Sequence, residues 1–319
     1  MDFGFGIPMR GPLASGENLA AICRSGEELG FSYVSVSDHI VIPRQIRSRY
    51  PYSESGEFGG GGTGECLEQL TVLSFLAGQT SSLRLLTSVM VHPHRSPVHV
   101  AKVLSSIDVL SGGRLTLGCG VGWMREEFEA IGAPPFDERG SVGSEYIRAF
   151  KELWTSDAPE FAGEYCSFSN ITFSPKPAQK PHPPIWVGGE SAPALRRAAL
   201  LGDAWYPIGN NPRFPLQTPA QFADAVERLH RYAEEVNRDP ATIDLAFSAG
   251  WYDEHTERPG PEGGRLSFTG SPEQISADIR AFGDVGVEHL ILNLQGPSLQ
   301  ETQERMRHFA VEVVPLVSN

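Results

Sequence analysis

Short apolar runs alternate with amphipathic stretches along almost the whole chain. Residues 2–8 (DFGFGIP), 33–37 (YVSVS), 84–91 (RLLTSVMV), 115–118 (LTLG), 185–187, 204–206, 243–248 and 289–293 are apolar and largely β-branched or aromatic. They are too short for helices, so they predict strands one to eight. Between and after them, residues 17–29, 67–78, 96–110, 143–154, 192–201, 218–237, a stretch opening at Ser271, and 299–314 predict helices. Ser96-Pro97, Thr218-Pro219 and Ser271-Pro272-Glu273 read as an N-cap followed by proline at the first helical position. Gly30 and Ser111-Gly112-Gly113 read as helix stops.

A strand followed each time by a helix requires crossover connections, and therefore a parallel sheet. Eight such units close into an α/β barrel of the (β/α)8 TIM type; an open doubly wound sheet also fits alternation, with fewer strands. The reading is one domain over residues 1–319, with insertion segments at about 44–64, 157–184 and 251–266. Loops after strands lie at the C-terminal face, where barrel enzymes build their sites. Loops this long serve as lids or binding segments more often than as packing. Residues 51–64 (PYSESGEFGGGGTG) are glycine-rich and read as a mobile loop.

Composition narrows the function. The formal net charge of −13 repels phosphate backbones and anionic lipid, which argues against nucleic acid or a membrane as partner. No window has 18 consecutive apolar residues, and the first residues lack the pattern of a signal peptide. The expectation is a soluble cytoplasmic protein. Cys23, Cys66, Cys119 and Cys166 are widely spaced with no CxxC pair, and read as free thiols.

Four short stretches could carry chemistry. Ser37-Asp38-His39 ends strand two at the expected catalytic rim. Histidine exchanges protons near neutral pH, and the alternative is a loop aspartate beside a packed histidine. Ser88 and Val89 lie in strand three, which by itself is an ordinary buried strand. Gly118-Cys119-Gly120-Val121-Gly122 ends strand four, where alternate glycines let a ligand approach the backbone, although the pattern is not a dinucleotide GxGxxG. Gly188-Gly189-Glu190-Ser191 joins strand five to its helix. It reads either as a phosphate seat of free N–H groups, hydroxyl and helix dipole, or as a plain turn with Ser191 as N-cap. A seat requires the Glu190 carboxylate to point to solvent. His92 and His94 form an HxH with no acidic or cysteine partner nearby, so no metal is expected.

In this order the motifs resemble the luciferase-like monooxygenase superfamily, closest to its F420-dependent oxidoreductase branch. The carriers are SDH at 37–39, LRLLTSVMVHPHRSPVHVAK at 83–102, LSGGRLTLGCGVGWMREEFEAIG at 110–132, PPIWVGGESAPALRRAALLGDAW at 183–205 and TGSPEQI at 269–275. The resemblance implies a bacterial-luciferase-like barrel with the cofactor ring across its mouth. It places a non-prolyl cis peptide at Ser88-Val89 behind the ring, and the cofactor phosphate near Gly188, Gly189, Glu190 and Ser191. It makes His39 the residue beside the reactive ring carbon, and Asp38 a positioner of cofactor or substrate.

Two departures matter. The glutamate that related sugar-phosphate dehydrogenases carry directly after the GxG is Trp123 here, with Glu126 and Glu127 a turn later. The tyrosine with which some FMN-using relatives hold phosphate is Gly140. The resulting expectation is coenzyme F420 and hydride transfer to or from a small organic substrate. The alternatives are a reduced-FMN monooxygenase served by a separate flavin reductase, and a non-catalytic flavin-binding protein. The family resemblance also implies a homodimer through helices 67–78 and 96–110.

Overall fold

The computed structural model describes residues 1–60 and 63–317. Gly61 and Gly62, inside the glycine-rich loop, and Ser318 and Asn319 lie outside the described residues. All eight expected barrel strands form: β1 Asp2–Gly6, β2 Tyr33–Val36, β3 Arg84–Thr87, β4 Leu115–Gly120, β5 Ile185–Gly188, β6 Ala204–Tyr206, β7 Asp244–Ser248 and β8 Val287–Leu292. Every pairing in this sheet is parallel. The order runs through all eight strands, and β1 pairs with β8, so the sheet closes into a (β/α)8 barrel.

Strand alternation divides the core into two layers. Tyr33, Leu86, Trp186, Ala204, Tyr206, Ala246 and Ile291 fill the barrel interior. The larger core lies between the strands and the surrounding helices, with Phe5, Val34, Leu85, Leu117, Trp205 and Phe247 on the strand side. Helices α1 Gly16–Glu28, α2 Gln69–Gln79, α3 Pro97–Leu110, α4 Arg125–Ile131, α5 Arg139–Thr155, α6 Ala192–Leu201, α7 Pro219–Glu235, α8 Pro272–Asp284 and α9 Leu299–His308 surround the sheet. Thr218 caps α7, and Ser271 with Gln274 forms a full capping box on α8. Ser96 and Ser191 precede α3 and α6, but neither makes a side-chain cap bond.

Three local expectations change. Strand β4 continues to Gly120, so the GxG lies inside the sheet. Helix α5 starts at Arg139, a turn before the expected 143. Helix α4 was not foreseen: seven residues are too few for a clear apolar period, although Glu126 and Glu127 in the first turn and Gly132 after the last are start and stop signals.

The insertions are anchored. In segment 157–184, Phe161–Ala162 and Ser167–Phe168 form a short antiparallel hairpin, and Glu145 of α5 accepts the N–H groups of Glu164, Tyr165 and Cys166. Trp251 donates from its indole nitrogen to the Ser267 carbonyl, and Arg265 pairs twice with Asp278 of α8. The cysteines are free. Among the described residues no helix is long and apolar enough to cross a membrane.

Candidate active site

Asp38 and His39 lie just past the end of β2 and take different partners. Asp38 points into the layer between barrel and helices. Its Oδ2 accepts the Val91 N–H and Arg95 Nη1, and its Oδ1 accepts Arg95 Nη2, each at 2.8 Å. The Asp38 side chain is fully buried, and Arg95 also reaches Glu68, the N-cap of α2. Both carboxylate oxygens are therefore spent on protein groups. Asp38 thereby locks β2 to the segment before α3.

His39 points to the mouth. Its Nδ1 lies 2.8 Å from Oε2 of Glu127, whose other oxygen accepts the Ile40 N–H at 2.7 Å and the Val41 N–H at 3.2 Å. Burial pushes the Glu127 carboxyl up. The hydrogen bond and charge of His39, the nearby His94 and the Ile40 N–H more than offset this, leaving it below the ordinary carboxylate range. An ionised Glu127 accepts a proton on Nδ1 and so fixes the imidazole tautomer. Among the described residues Nε2 has no hydrogen-bond partner, so the free nitrogen is the one available for chemistry.

Glu127 was missed as a site residue because 88 positions separate it from His39. Only the fold joins them: β2, β3 and β4 are consecutive in the barrel, so the segments following β2 and β4 meet above β3. Behind the pair lies His94, edge-on to Phe128 at 4.5 Å. Burial lowers its pKa to about 4 against the opposing charges of Glu127 and Asp38, so it is neutral at pH 7. His92 is buried and bonds the Gly143 carbonyl.

The segment that follows His39 covers it. Glu126 holds the start of this loop through the N–H groups of Arg47 and Ser48. Phe58 then packs on His39 (5.2 Å), on Tyr50 (5.2 Å) and on Trp123 (5.3 Å). Tyr50 meets Trp123 at 5.0 Å, and the Tyr52 carbonyl accepts from Asn210 after β6. The described part of the glycine-rich loop is thus part of an aromatic cover seated on the mouth. Trp123, at the position of the missing glutamate, is part of its seat.

The expected cofactor wall is brought together at β3–β5. The Ser88–Val89 peptide is cis, and β3 resumes as Met90–Val91 beyond it. A side chain on Gly120 would overlap Cγ2 of Val89, and one on Gly188 would come within 3.1 Å of Cγ1. These glycines therefore make room for Val89, which stands as an apolar knob between β4 and β5. Gly120 thus has a packing reason of its own, beside the ligand approach expected at this strand end. Ser88 bonds Tyr206 hydroxyl to hydroxyl at 2.9 Å, and burial pushes the Tyr206 phenol up to about 12.

At the β5–α6 turn, Gly189 takes a positive φ of 104°. Glu190 does not point to solvent as a phosphate seat was thought to require. It is buried, and its carboxylate accepts the Ile208 N–H (2.9 Å) and Asn211 Nδ2 (2.8 Å). Burial raises its pKa against the opposing hydrogen bonds of Ile208 and Asn211. Among the described residues the Ser191 hydroxyl, with no capping bond, has no partner at the N-terminus of α6. The turn suits an anion: helix N–H groups, a free hydroxyl, and a glutamate withdrawn to the far side. A cavity of about 460 Å³ lies at the opposite end of the barrel, lined by Asp2, Glu288 and His289 among others, away from all these groups.

The family model for the luciferase-like monooxygenases matches residues 1–258. An FMNH2-dependent dimethylsulfone monooxygenase of Pseudomonas putida is 29% identical over 309 residues, covering 84% of this chain and 83% of that protein. An uncharacterized protein of Mycobacterium tuberculosis is 34% identical over 239 residues, 74% of each chain. Among solved structures, the coenzyme F420-dependent tetrahydromethanopterin reductase of Methanopyrus kandleri superposes with a TM-score of 0.74 over 98% of both chains, at 17% identity. The chain belongs to the luciferase-like monooxygenase family.

Proposed function

We propose that the protein is an F420-dependent oxidoreductase that moves a hydride between the deazaflavin and a small organic substrate. The observation that carries this reading is His39 at the barrel mouth with Nδ1 committed to Glu127 and Nε2 free. When bound, the deazaflavin supplies a two-electron hydride acceptor or donor and no acid or base of its own. His39 supplies that. Its Nε2 takes the hydroxyl proton of an alcohol as hydride leaves the carbon, or returns a proton to the oxygen of a carbonyl in the reverse direction. Glu127 stabilises the imidazolium formed and keeps the ring oriented, the logic of a histidine held by a buried carboxylate.

The residues present fit the cofactor. Val89 and the barrel wall beneath it would back the ring, and Gly189, Ser191 and the N-terminus of α6 would take the phosphate. At Gly140 a side chain would meet Arg197, which already bonds the Gly140 carbonyl, so the tyrosine of some FMN-using relatives has no counterpart. The aromatic cover of Tyr50, Phe58 and Trp123 would exclude water from the reacting pair.

The Pseudomonas relative favours a second reading, a monooxygenase using reduced FMN from a separate reductase. Fluorescence titration of the apoprotein with F420 and with FMN separates the two. The proposal expects tight F420 and weak FMN binding, and anaerobic turnover. Oxygen uptake that requires reduced FMN and substrate would overturn it in favour of the monooxygenase.

A further inference from the structure

We propose that Arg10 is a specificity-determining residue that binds an anionic group of the substrate, so that this enzyme acts on planar organic anions bearing a carboxylate or sulfonate. Arg10 leaves β1 at the C-terminal face, beside the mouth. Its guanidinium lies over the Phe58 ring at 5.2 Å from the centroid, and His39 packs on the same ring with centroids also 5.2 Å apart. A side chain on Gly60 would overlap the guanidinium, so the loop is shaped to admit it. The positive charge is felt by Tyr50 and Cys66: burial raises both groups, and Arg10 opposes the rise.

Among the described residues Arg10 has no acceptor. Arg95 has Asp38 and Glu68, Arg265 has Asp278, and Arg114 has five carbonyl and hydroxyl bonds. Among the described residues Arg10 has only the face of Phe58. Glu127, the carboxylate paired with His39, is spent on His39, Ile40 and Val41. In a chain of net charge −13, an arginine left with five N–H donors and no carboxylate inside a half-buried aromatic site is matched to a ligand that brings the charge. An anion held by the Arg10 fork would lie against Phe58, the ring that also packs on His39, Tyr50 and Trp123, so a flat apolar body suits the aromatic edge of the site.

The inference rests on the proposed function only in placing the reacting carbon at His39, and it is tested without turnover. Ligand-observed saturation-transfer NMR on the full chain, with and without cofactor, would compare benzoate, benzenesulfonate and the neutral isostere benzamide. Wild type should bind both anions at millimolar concentration and at least tenfold more tightly than benzamide. Arg10→Met should lose at least tenfold for the anions, leave benzamide unchanged, and keep cofactor affinity within twofold. Arg10→Lys, which keeps the charge but loses the fork, should fall between and serves if the methionine variant does not fold. Equal affinity of wild type for benzoate and benzamide, no binding of either anion, or no loss in both variants would overturn the proposal. A loss of cofactor affinity instead would assign Arg10 to the cofactor, overturning this inference while leaving the hydride-transfer reading in place.

Discussion

Asp38→Asn tests the division of labour at the end of β2. The substitution keeps the shape of the side chain and removes its charge. The three 2.8 Å bonds to Val91 and Arg95 then lose an ionised acceptor, and Arg95 is left with Glu68, whose side chain is 40% exposed. Breaking a buried pair by neutralising one partner costs roughly 3–5 kcal/mol, because the other charge stays behind. The remaining Glu68 contact puts Asp38→Asn near the lower end, about 3 kcal/mol. For a chain of this size that lowers Tm by roughly 5–10 °C. Urea unfolding followed by circular dichroism measures the loss, and Arg95→Met with the double variant completes a cycle. The double variant should be less unstable than the sum of the single ones, since no charge is then stranded. Cofactor binding, measured well below the transition, should stay close to wild type because the carboxylate does not face the mouth. A variant as stable as wild type that no longer binds cofactor would refute the reasoning and return Asp38 to the site.

His39→Gln should lower turnover by roughly 10²–10⁴-fold with little change in cofactor affinity. Glu127→Gln should flatten or displace the pH–rate profile, and an unchanged profile would remove Glu127 from the mechanism. Glu27 of α1 gathers the N–H groups of Ser81, Ser82 and Leu83 and both serine hydroxyls. Burial opposes these bonds, yet they hold its carboxyl down to about 2, against 4.5 unfolded. Because the folded value is the lower one, the stability it contributes is complete above pH 4.5 and is lost as the pH falls from there to about 2. Glu27→Gln should therefore cost roughly 1 kcal/mol at pH 7, after allowance for its exposure, with the gap closing below pH 4.5; a gap independent of pH would count against the ion. Gly118→Ala would drive a methyl group into the Thr87 carbonyl across the β3–β4 pair. It should cost about 3 kcal/mol or more by thermal melting, since backbone cannot step aside as a side chain can.

The barrel was legible because each strand is a dense apolar run and several helices carry their own start signals, Thr218 on α7 and the Ser271 capping box on α8 among them. The motifs at 37–39, 88–89, 118–122 and 188–191 were legible as places for the same reason: each sits where a strand meets its loop. What each residue does there was not. The roles of Glu127, Trp123 and Phe58 depend on which loops the closed barrel brings together. His39 and Phe58 are 19 positions apart and Phe58 and Trp123 are 65 apart, with no local periodicity to announce either contact. The glycine count of the loop suggested freedom, while its three aromatic residues, spaced irregularly, carried the information about packing.

The pair at the end of β2 shows how far local rules reach. Asp38 and His39 lie just past the end of β2, and they take different partners: Asp38 holds Arg95 and His39 holds Glu127. This excludes the simplest reading of the pair, an aspartate orienting the histidine beside it. The histidine must find its carboxylate elsewhere, and in a parallel barrel the nearest sources are the loops after neighbouring strands. The loop after β3 runs straight into the segment that supplies Arg95, so a carboxylate there would compete with Asp38 for the same cation. The first turn of α4, after β4, remains, and its two glutamates divide the work: Glu126 pins the cover, and Glu127 holds the histidine beneath it. Cover and imidazole are thus mounted on one short helix.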